Sequence, residues 1–135
     1  MARLFTSHQR VRYAETDQMG VVYHANYLVW FEAARGDFCR ELNIPVPAME
    51  ASGLMLPVVE VRCRYKRPAR YDERIRVETT LAELKSHSVT FRYRVLRDEE
   101  GVLLVEGSTR HGFCDLEGHL VRCPDGYRLL FESCL

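Results

Sequence analysis

The stretch ETDQMGVVYHANY, residues 15–27, places two carboxylates, a glycine, a histidine and an asparagine in front of an apolar segment. A carboxylate can attack a carbon atom or take a proton from water, and a histidine can exchange protons near neutral pH. If the apolar segment is a helix, its first turn offers free N–H groups and the positive end of its dipole, which together bind anions. The stretch therefore has the groups needed to activate water and to stabilise an oxyanion.

Each of these residues also has an ordinary structural role. Asp17 could merely accept backbone N–H bonds, and His24 could be a solvated loop residue. Glu15 lies two residues before Asp17, so on an extended segment both point the same way, and Glu15 is either a second carboxylate of a site or a loop cap. Gly20 permits a turn that a side chain would disfavour, and Asn26 suits the N-cap of a helix.

The elements that must position these groups are a strand and a helix. Residues 5–14 predict a first strand, and Asp-Gln-Met-Gly after it carries turn signals. The segment NYLVWFEAARGDFCREL, residues 26–42, predicts a helix that Asn43 and Pro45 end. Its first two turns are apolar almost all round, which predicts a helix enclosed by the rest of the protein.

The remainder of the chain predicts strands. After a Pro-rich connection over residues 44–57, apolar and polar residues alternate in runs that are separated by RPARYDE, KSHS, RDEEG and DLEG. The last two breaks are short enough for hairpins. The fold predicted for residues 1–135 is one α+β domain, a long antiparallel sheet curved around one helix. Its sheet edges favour pairing with a second copy, so we expect at least a dimer.

Composition excludes several classes of function. The formal net charge is zero, which gives no reason to expect a nucleic-acid partner, and no apolar run approaches the roughly 20 residues that span a bilayer. Five cysteines without a C-x-x-C pair suggest neither a disulfide framework nor a zinc site, so we expect reduced thiols and no metal. The N-terminal residues lack the apolar region of a signal peptide. These features predict a cytoplasmic protein.

The order of a strand, ETDQMGVVYHANY, an apolar helix and an antiparallel sheet resembles the hot-dog-fold acyl-CoA thioesterases, specifically the 4-hydroxybenzoyl-CoA thioesterase family. The likeness covers essentially the whole chain, and its specificity lies in Asp-x-x-Gly-x-x-x-x-x-Asn-Tyr with a histidine two positions before the asparagine. The resemblance implies dimers with a continuous sheet, frequent tetramers, and sites at the dimer interface. It also implies that Asp17 is the catalytic carboxylate and that a backbone amide around Tyr23 and His24 polarises the substrate carbonyl.

The predicted reaction is hydrolysis of an acyl-CoA to a carboxylic acid and coenzyme A, with coenzyme A as part of the substrate and product and no other cofactor. Asp17 acts as nucleophile or general base, and the sequence leaves both open. Further substrate contacts are predicted in two groups. Gly20 and Asn26 belong to the catalytic stretch; the coenzyme A phosphates, by the family's pattern, fall to Lys85, His87 and Arg122.

Two other functions stay open. The chain could be a thioesterase for acyl carrier protein, docking through basic residues of the segment 62–70, although such a run is typical of a solvated outer face. It could also be a non-catalytic hot-dog module that binds acyl-CoA or only assembles. The acyl specificity is not readable, because Met49, Leu54, Met55 and Pro57 either line the acyl site or only cover the core.

Overall fold

A five-stranded antiparallel sheet carries one long helix on its inner face. The computed structural model describes residues 2–135. The strands are β1 (Phe5–Arg10), β2 (Val58–Tyr65), β3 (Arg74–Leu84), β4 (Ser88–Arg97) and β5 (Leu103–Gly112). The helices are α1 (Asn26–Glu41), α2 (Val46–Ala51) and α3 (Asp125–Glu132), and a single 3₁₀ turn spans Tyr13–Glu15.

The spatial strand order is β1-β3-β4-β5-β2, so β1 and β2 form the two edges. Each neighbouring pair is antiparallel, and the three central strands are 10 or 11 residues long, about twice the usual length. Their inward side chains alternate with outward ones, and the inward set packs on α1. The predicted α+β hot-dog fold is therefore confirmed.

The helix α1 lies within one residue of its predicted bounds. It ends in a Schellman motif, in which the N–H of Ile44 donates to the carbonyl of Cys39 at 2.9 Å and the N–H of Asn43 to that of Arg40 at 3.0 Å. Asn43 takes the left-handed conformation that this motif needs, with a φ of 60°. The predicted stop at this asparagine is confirmed.

The prediction that α1 is enclosed all round is wrong for the single chain. The buried residues form one stripe with helical spacing, Tyr27, Trp30, Phe31, Ala34, Phe38 and Cys39. Leu28 and Val29 are 36% and 52% exposed, because the sheet covers only one side of the helix.

Three other local predictions are corrected. The first strand ends at Arg10 rather than residue 14, because the Glu15 carboxylate accepts the N–H of Arg12 at 2.8 Å and turns the backbone. The Pro-rich connection contains α2, whose two prolines sit at its N-terminus, where no N–H partner is needed. The helix α3 was not predicted. Within residues 2–135, no helix has the length and apolarity that crossing a bilayer requires.

The helix packs tightly on the sheet at Gly107 of β5. The ring of Phe31 from α1 lies against this glycine and stacks on Tyr93 of β4, with ring centroids 4.5 Å apart and planes only 6° from parallel. A Cβ at position 107 would lie 2.8 Å from Cε2 of Phe31 and would also strike the carbonyl oxygen of Arg62. Glycine is therefore required here by space.

We expect Gly107→Ala to lower the free energy of unfolding by about 1–3 kcal/mol, the usual cost of overpacking a core. Chemical denaturation monitored by circular dichroism measures the change. Gly126→Ala is the matched control, because a Cβ at this helical position meets nothing within 4 Å. Equal stability of the two variants would contradict the close approach.

Candidate active site

Glu15 is the anchor of the polar stretch. Its side chain is only 6% exposed, and its carboxylate accepts hydrogen bonds from the N–H of Arg12 and from Nε1 of Trp30, both at 2.8 Å. The guanidinium of Arg12 adds a longer contact of 3.4 Å. Burial raises the pKa of this carboxyl, but the Arg12 N–H, the Trp30 indole and the Arg12 guanidinium stabilise the anion more strongly, so the net pKa is lowered.

The backbone carbonyl of Glu15 fixes the start of α1. It accepts the N–H of Tyr23 and the side-chain amide of Asn26, both at 2.8 Å. Asn26 is therefore not the N-cap that its residue type predicts; that position is Ala25, without a side-chain hydrogen bond. Because the Asn26 amide is held by Glu15, Asn26 positions the loop and does not line the cleft described below. Of the two roles considered for Glu15, the structure matches the loop cap.

Asp17 forms a tight turn with the residues that follow it. Its Oδ1 accepts the N–H of Met19 at 2.8 Å, and its carbonyl accepts the N–H of Gly20 at 3.0 Å. Gly20 has a φ of 77°, so glycine is needed for conformation rather than for space, since a Cβ there would meet nothing within 4 Å. No donor within residues 2–135 occupies Oδ2 of Asp17. One carboxylate oxygen is thus anchored and the other is free.

Asp17 lines a cleft of about 290 Å³. Its other lining residues are Met19, Val21, Val22, His24, Tyr27, Tyr65, Lys66, Arg67 and Pro68. Tyr65 donates its hydroxyl to the carbonyl of His24 at 3.0 Å and so ties the end of β2 to the start of α1. Burial, with Cys63 and Tyr27 beside it, raises the pKa of Tyr65 to about 12, which keeps this hydroxyl protonated.

Sequence reasoning missed the contribution of β2 to the cleft. Tyr65, Lys66 and Arg67 are separated from Asp17 by almost fifty residues, and only the strand register brings them to the same place. The signal that could have found them is the run RCRYKRPAR, where a tyrosine and basic residues stand at the end of a strand.

The two backbone N–H groups predicted to polarise the substrate carbonyl differ in their surroundings. The N–H of Tyr23 donates to the carbonyl of Glu15, so in this conformation it is not free to donate to a substrate carbonyl. The N–H groups of His24 and Ala25 have no acceptor within residues 2–135, as is usual before the first helical turn. His24 is therefore the nearer candidate for an oxyanion donor, through its backbone.

The predicted coenzyme A residues lie at the opposite end of the sheet. Lys85 and Arg122 line a separate cavity of about 260 Å³, and the carbonyl of His87 accepts the N–H of Phe113 at 3.1 Å. The cleft lies beside Lys66, which pairs with Leu104 at the other end of β5. Eight residues of strand separate the two ends, about 26 Å at 3.3 Å per residue. Within one chain, these residues do not join the Asp17 cleft.

A larger cavity of about 400 Å³ lies beside the connection between α1 and β2. Met49, Leu54, Met55 and Pro57 all line it, with Arg35 among the other lining residues. Met49 and Leu54 also belong to the buried core, so the two roles considered for this connection are not exclusive. Within the described chain, no three His, Cys, Asp or Glu side chains are grouped so that they could hold a metal ion.

Comparison with known proteins gives a consistent result. The model of the thioesterase-like superfamily matches residues 11–128. The putative acyl-CoA thioesterase YneP of Bacillus subtilis is 38% identical over 107 residues, which cover 79% of this chain and 77% of that protein. The 4-hydroxybenzoyl-CoA thioesterase of a Pseudomonas species is 28% identical over 104 residues, 75% of this chain and 74% of that protein.

A solved structure agrees over almost the whole length. The hypothetical protein TT1821 of Thermus thermophilus is 44% identical, superposes with a TM-score of 0.92, and is matched over 96% of this chain and 98% of that one. These comparisons confirm the resemblance stated on the sequence. The roles of individual residues rest on the geometry of the site.

Glu15→Gln tests the anchor. Because the pKa of Glu15 is lowered from its ordinary value of 4.5, its stabilising effect is fully present above that value and is lost as the pH falls through the folded-state pKa. We expect the free energy of unfolding of the variant to be about 1–3 kcal/mol lower than that of the parent at pH 7. We also expect it to fall less than that of the parent on acidification. Denaturation followed by fluorescence of Trp30, the single tryptophan, measures both.

The exposed Glu41 at the end of α1 supplies the control variant, Glu41→Gln, which removes a carboxylate without these hydrogen bonds. Identical acid unfolding of the parent and Glu15→Gln would refute the anchoring role.

Proposed function

Because the chain belongs to the thioesterase-like superfamily, we propose that it is an acyl-CoA thioester hydrolase in which Asp17 acts as nucleophile or general base. The observation that carries the proposal is that the two carboxylate oxygens of Asp17 have different surroundings. One oxygen is held by the N–H of Met19, the other has no donor among residues 2–135, and Asp17 lines a cleft at the N-terminus of α1. The names of the relatives, an acyl-CoA thioesterase and a 4-hydroxybenzoyl-CoA thioesterase, support the substrate class.

The chemistry needs a nucleophile and a donor for the developing oxyanion. The free oxygen of Asp17 either takes a proton from water as the water attacks the thioester carbon, or attacks that carbon itself to give a mixed anhydride that water then cleaves. In both routes the carbonyl oxygen becomes transiently negative, the carbon–sulfur bond breaks, and the departing thiolate of coenzyme A takes up a proton that water supplies. The N–H of His24 and the positive end of α1 are suited to that oxygen, and one such donor is worth roughly 3 kcal/mol in comparable sites.

A dimer would bring the separated residues together. The edge strand β2 exposes Val58, Val59 and Val61, and the neighbouring helix exposes Leu28 and Val29. An exposed apolar edge strand favours pairing with another copy, and a two-fold axis makes that pairing antiparallel. We therefore propose that two copies join their β2 edges into one continuous sheet.

This pairing would complete the site. Antiparallel β2 strands place Tyr65 of one copy opposite Val58 of the other, so the Asp17 cleft lies near the end of the second sheet that carries Lys85 and His87. Lysine there, with Arg122 beside it, is suited to the phosphates of coenzyme A. The 400 Å³ cavity, which adjoins the start of β2, would then be the acyl pocket, since its size falls within the usual range for ligands.

The cytoplasmic location is also proposed. All five cysteines are free, which supports a reducing compartment.

Asp17→Asn tests the catalytic role. Asparagine keeps an oxygen that can accept the N–H of Met19, so the turn is retained while the charge is lost. We expect kcat to fall by about 10²- to 10⁴-fold, as for other lost acid–base groups. Thiol release from a panel of acyl-CoA thioesters, aliphatic of graded length plus benzoyl types, measures the change.

The matched control is Asp72→Asn, because Asp72 is an exposed turn residue with a φ of 68° and lies outside the cleft. Turnover by the Asp17 variant at the parent rate, with the assembly intact, would rule out the proposed role. An inactive parent on every substrate would instead rule out hydrolysis of acyl-CoA.

Tyr65→Phe tests the tie between β2 and the helix start. The variant loses only the hydroxyl that holds the carbonyl of His24. We expect kcat to fall by about three- to ten-fold with little change in KM, since one hydrogen bond is worth about 1 kcal/mol and acts here on the oxyanion donor. Steady-state kinetics separates the two constants.

Tyr71→Phe is the control, because the exposed Tyr71 packs edge-on against Tyr13 and lies outside the cleft. A Tyr65 variant that changes only KM, or nothing, would contradict the positioning role.

A further inference from the structure

The outer face of the sheet carries a basic depression of about 310 Å³, here named the arginine hollow. Its rim is formed by Arg62 and Arg64 of β2 and by Arg92 and Arg94 of β4. Its floor consists of small residues, Ser108, Gly107, Thr90 and Ala82, with Glu106 and Cys63 completing the lining. Long side chains around short ones produce the depression.

The strand register fixes this arrangement. Arg62 and Arg92 are the partners of Ser108 on its two sides, and Arg64 and Arg94 are likewise the partners of Glu106. The strands β2 and β4 flank β5, so opposite arginines are separated by two strand spacings, about 10 Å. The register therefore places the backbones of the four arginines at the corners of the hollow.

Acidic neighbours neutralise only part of this charge. Arg62 lies 3.4 Å from Glu60, and Arg94 lies 3.2 Å from Glu78. Across residues 2–135, no carboxylate comes within 4.0 Å of the guanidinium groups of Arg64 and Arg92. A chain with zero formal net charge thus concentrates unpaired positive charge on one face, which favours an anionic partner.

The chemistry of the lining selects among anionic partners. It has no aromatic ring on which a nucleobase could stack, and no large aliphatic side chain that could enter a membrane. Arginine pairs with carboxylates in a bidentate manner, and four arginines spread over about 10 Å match several separate carboxylates better than a single phosphate group. The lining therefore favours the acidic surface of a folded protein.

Lys66 links the arginine hollow to the Asp17 cleft along the chain, although the two cavities share no lining residue. Lys66 follows Arg62 and Arg64 at alternate positions on the same face of the chain, and it also lines the cleft together with Arg67. The distance from Arg62 to Lys66 is about 13 Å along the strand. A protein docked in the hollow could therefore pass a flexible thioester arm along this basic path.

We propose that the arginine hollow docks an acidic acyl carrier protein, which presents its acyl thioester to the Asp17 cleft. The proposal rests on the proposed function, because the same reaction is performed: water adds to the thioester, the carboxylic acid forms, and the carrier thiol leaves with a proton. It adds a protein partner and a surface that recognises it.

Arg92→Glu is the decisive variant, because it reverses an unpaired charge far from Asp17. With one acyl group on two carriers, kcat/KM for the acyl carrier protein thioester falls about ten-fold or more through KM, and kcat/KM for the coenzyme A thioester stays within about two-fold of the parent. Raising the salt concentration reduces the parent's preference for the carrier protein in the same way. Arg74→Glu is the matched control, since Arg74 lies on the sheet outside the hollow and has no ion pair among the described residues.

Direct binding separates this proposal from the proposed function. Fluorescence anisotropy of a labelled holo acyl carrier protein gives its affinity for the parent, Arg92→Glu and Arg74→Glu without turnover. Binding that is lost only in the Arg92 variant supports docking, even if acyl-CoA is not hydrolysed. Absent binding, or equal binding by all three proteins, overturns the proposal, even if acyl-CoA is hydrolysed well.

Two further results would also overturn it. If Arg92→Glu raises KM for the coenzyme A thioester as much as for the carrier protein thioester, the hollow holds the phosphates of coenzyme A. If sedimentation shows that the variant changes the number of subunits, the hollow is an interface between copies. Arg92→Gln, which removes the charge without reversing it, gives the same comparisons if the glutamate variant does not fold.

Discussion

The buried carboxylate of Glu15 is the interaction on which the geometry of the cleft depends. Its two oxygens are occupied by the Trp30 indole and the Arg12 backbone, so the residue is fixed against the helix and the chain before it at once. Its own carbonyl then holds Tyr23 and Asn26 at the start of α1. An ionised carboxylate is costly to bury unless its oxygens accept hydrogen bonds. The hydrogen bonds that meet this need also hold the loop that contains Asp17.

The fixed loop allows one small fold to combine an apolar helix–sheet interface with polar groups at the start of the helix. A helix that packs against the sheet with an apolar stripe cannot carry polar chemistry along its length, but its N-terminus exposes N–H groups without any side chain. The turn at Gly20 brings Asp17 to this end, and Tyr65 closes the other side from β2. Asp17 is thus held by the N–H of Met19, and the carbonyl of His24 is held by the hydroxyl of Tyr65.

Local patterns predicted what depends on neighbouring residues in the chain. The end of α1 at Asn43 and the alternation of the central strands follow from short-range conformation and period. The early end of the first strand was missed because the carboxylate of Glu15 bonds both the N–H of Arg12 and the indole of Trp30, fifteen residues away, which local periodicity does not encode. The grouping of Arg62 with Arg92, and the distance of Lys85 from Asp17, depend on register across several strands, which no single segment encodes.

The position of Lys85 and Asp17 at opposite ends of one sheet has a genetic consequence if two β2 edges pair and both residues act on the substrate as proposed. Each chain then contributes halves to two different sites, and neither site belongs to one chain. In a mixed dimer of a chain lacking Asp17 and a chain lacking Lys85, both defects fall in one site and the other site is whole. Two inactive alleles of this gene can therefore complement each other, and a single damaged chain need not silence its undamaged partner.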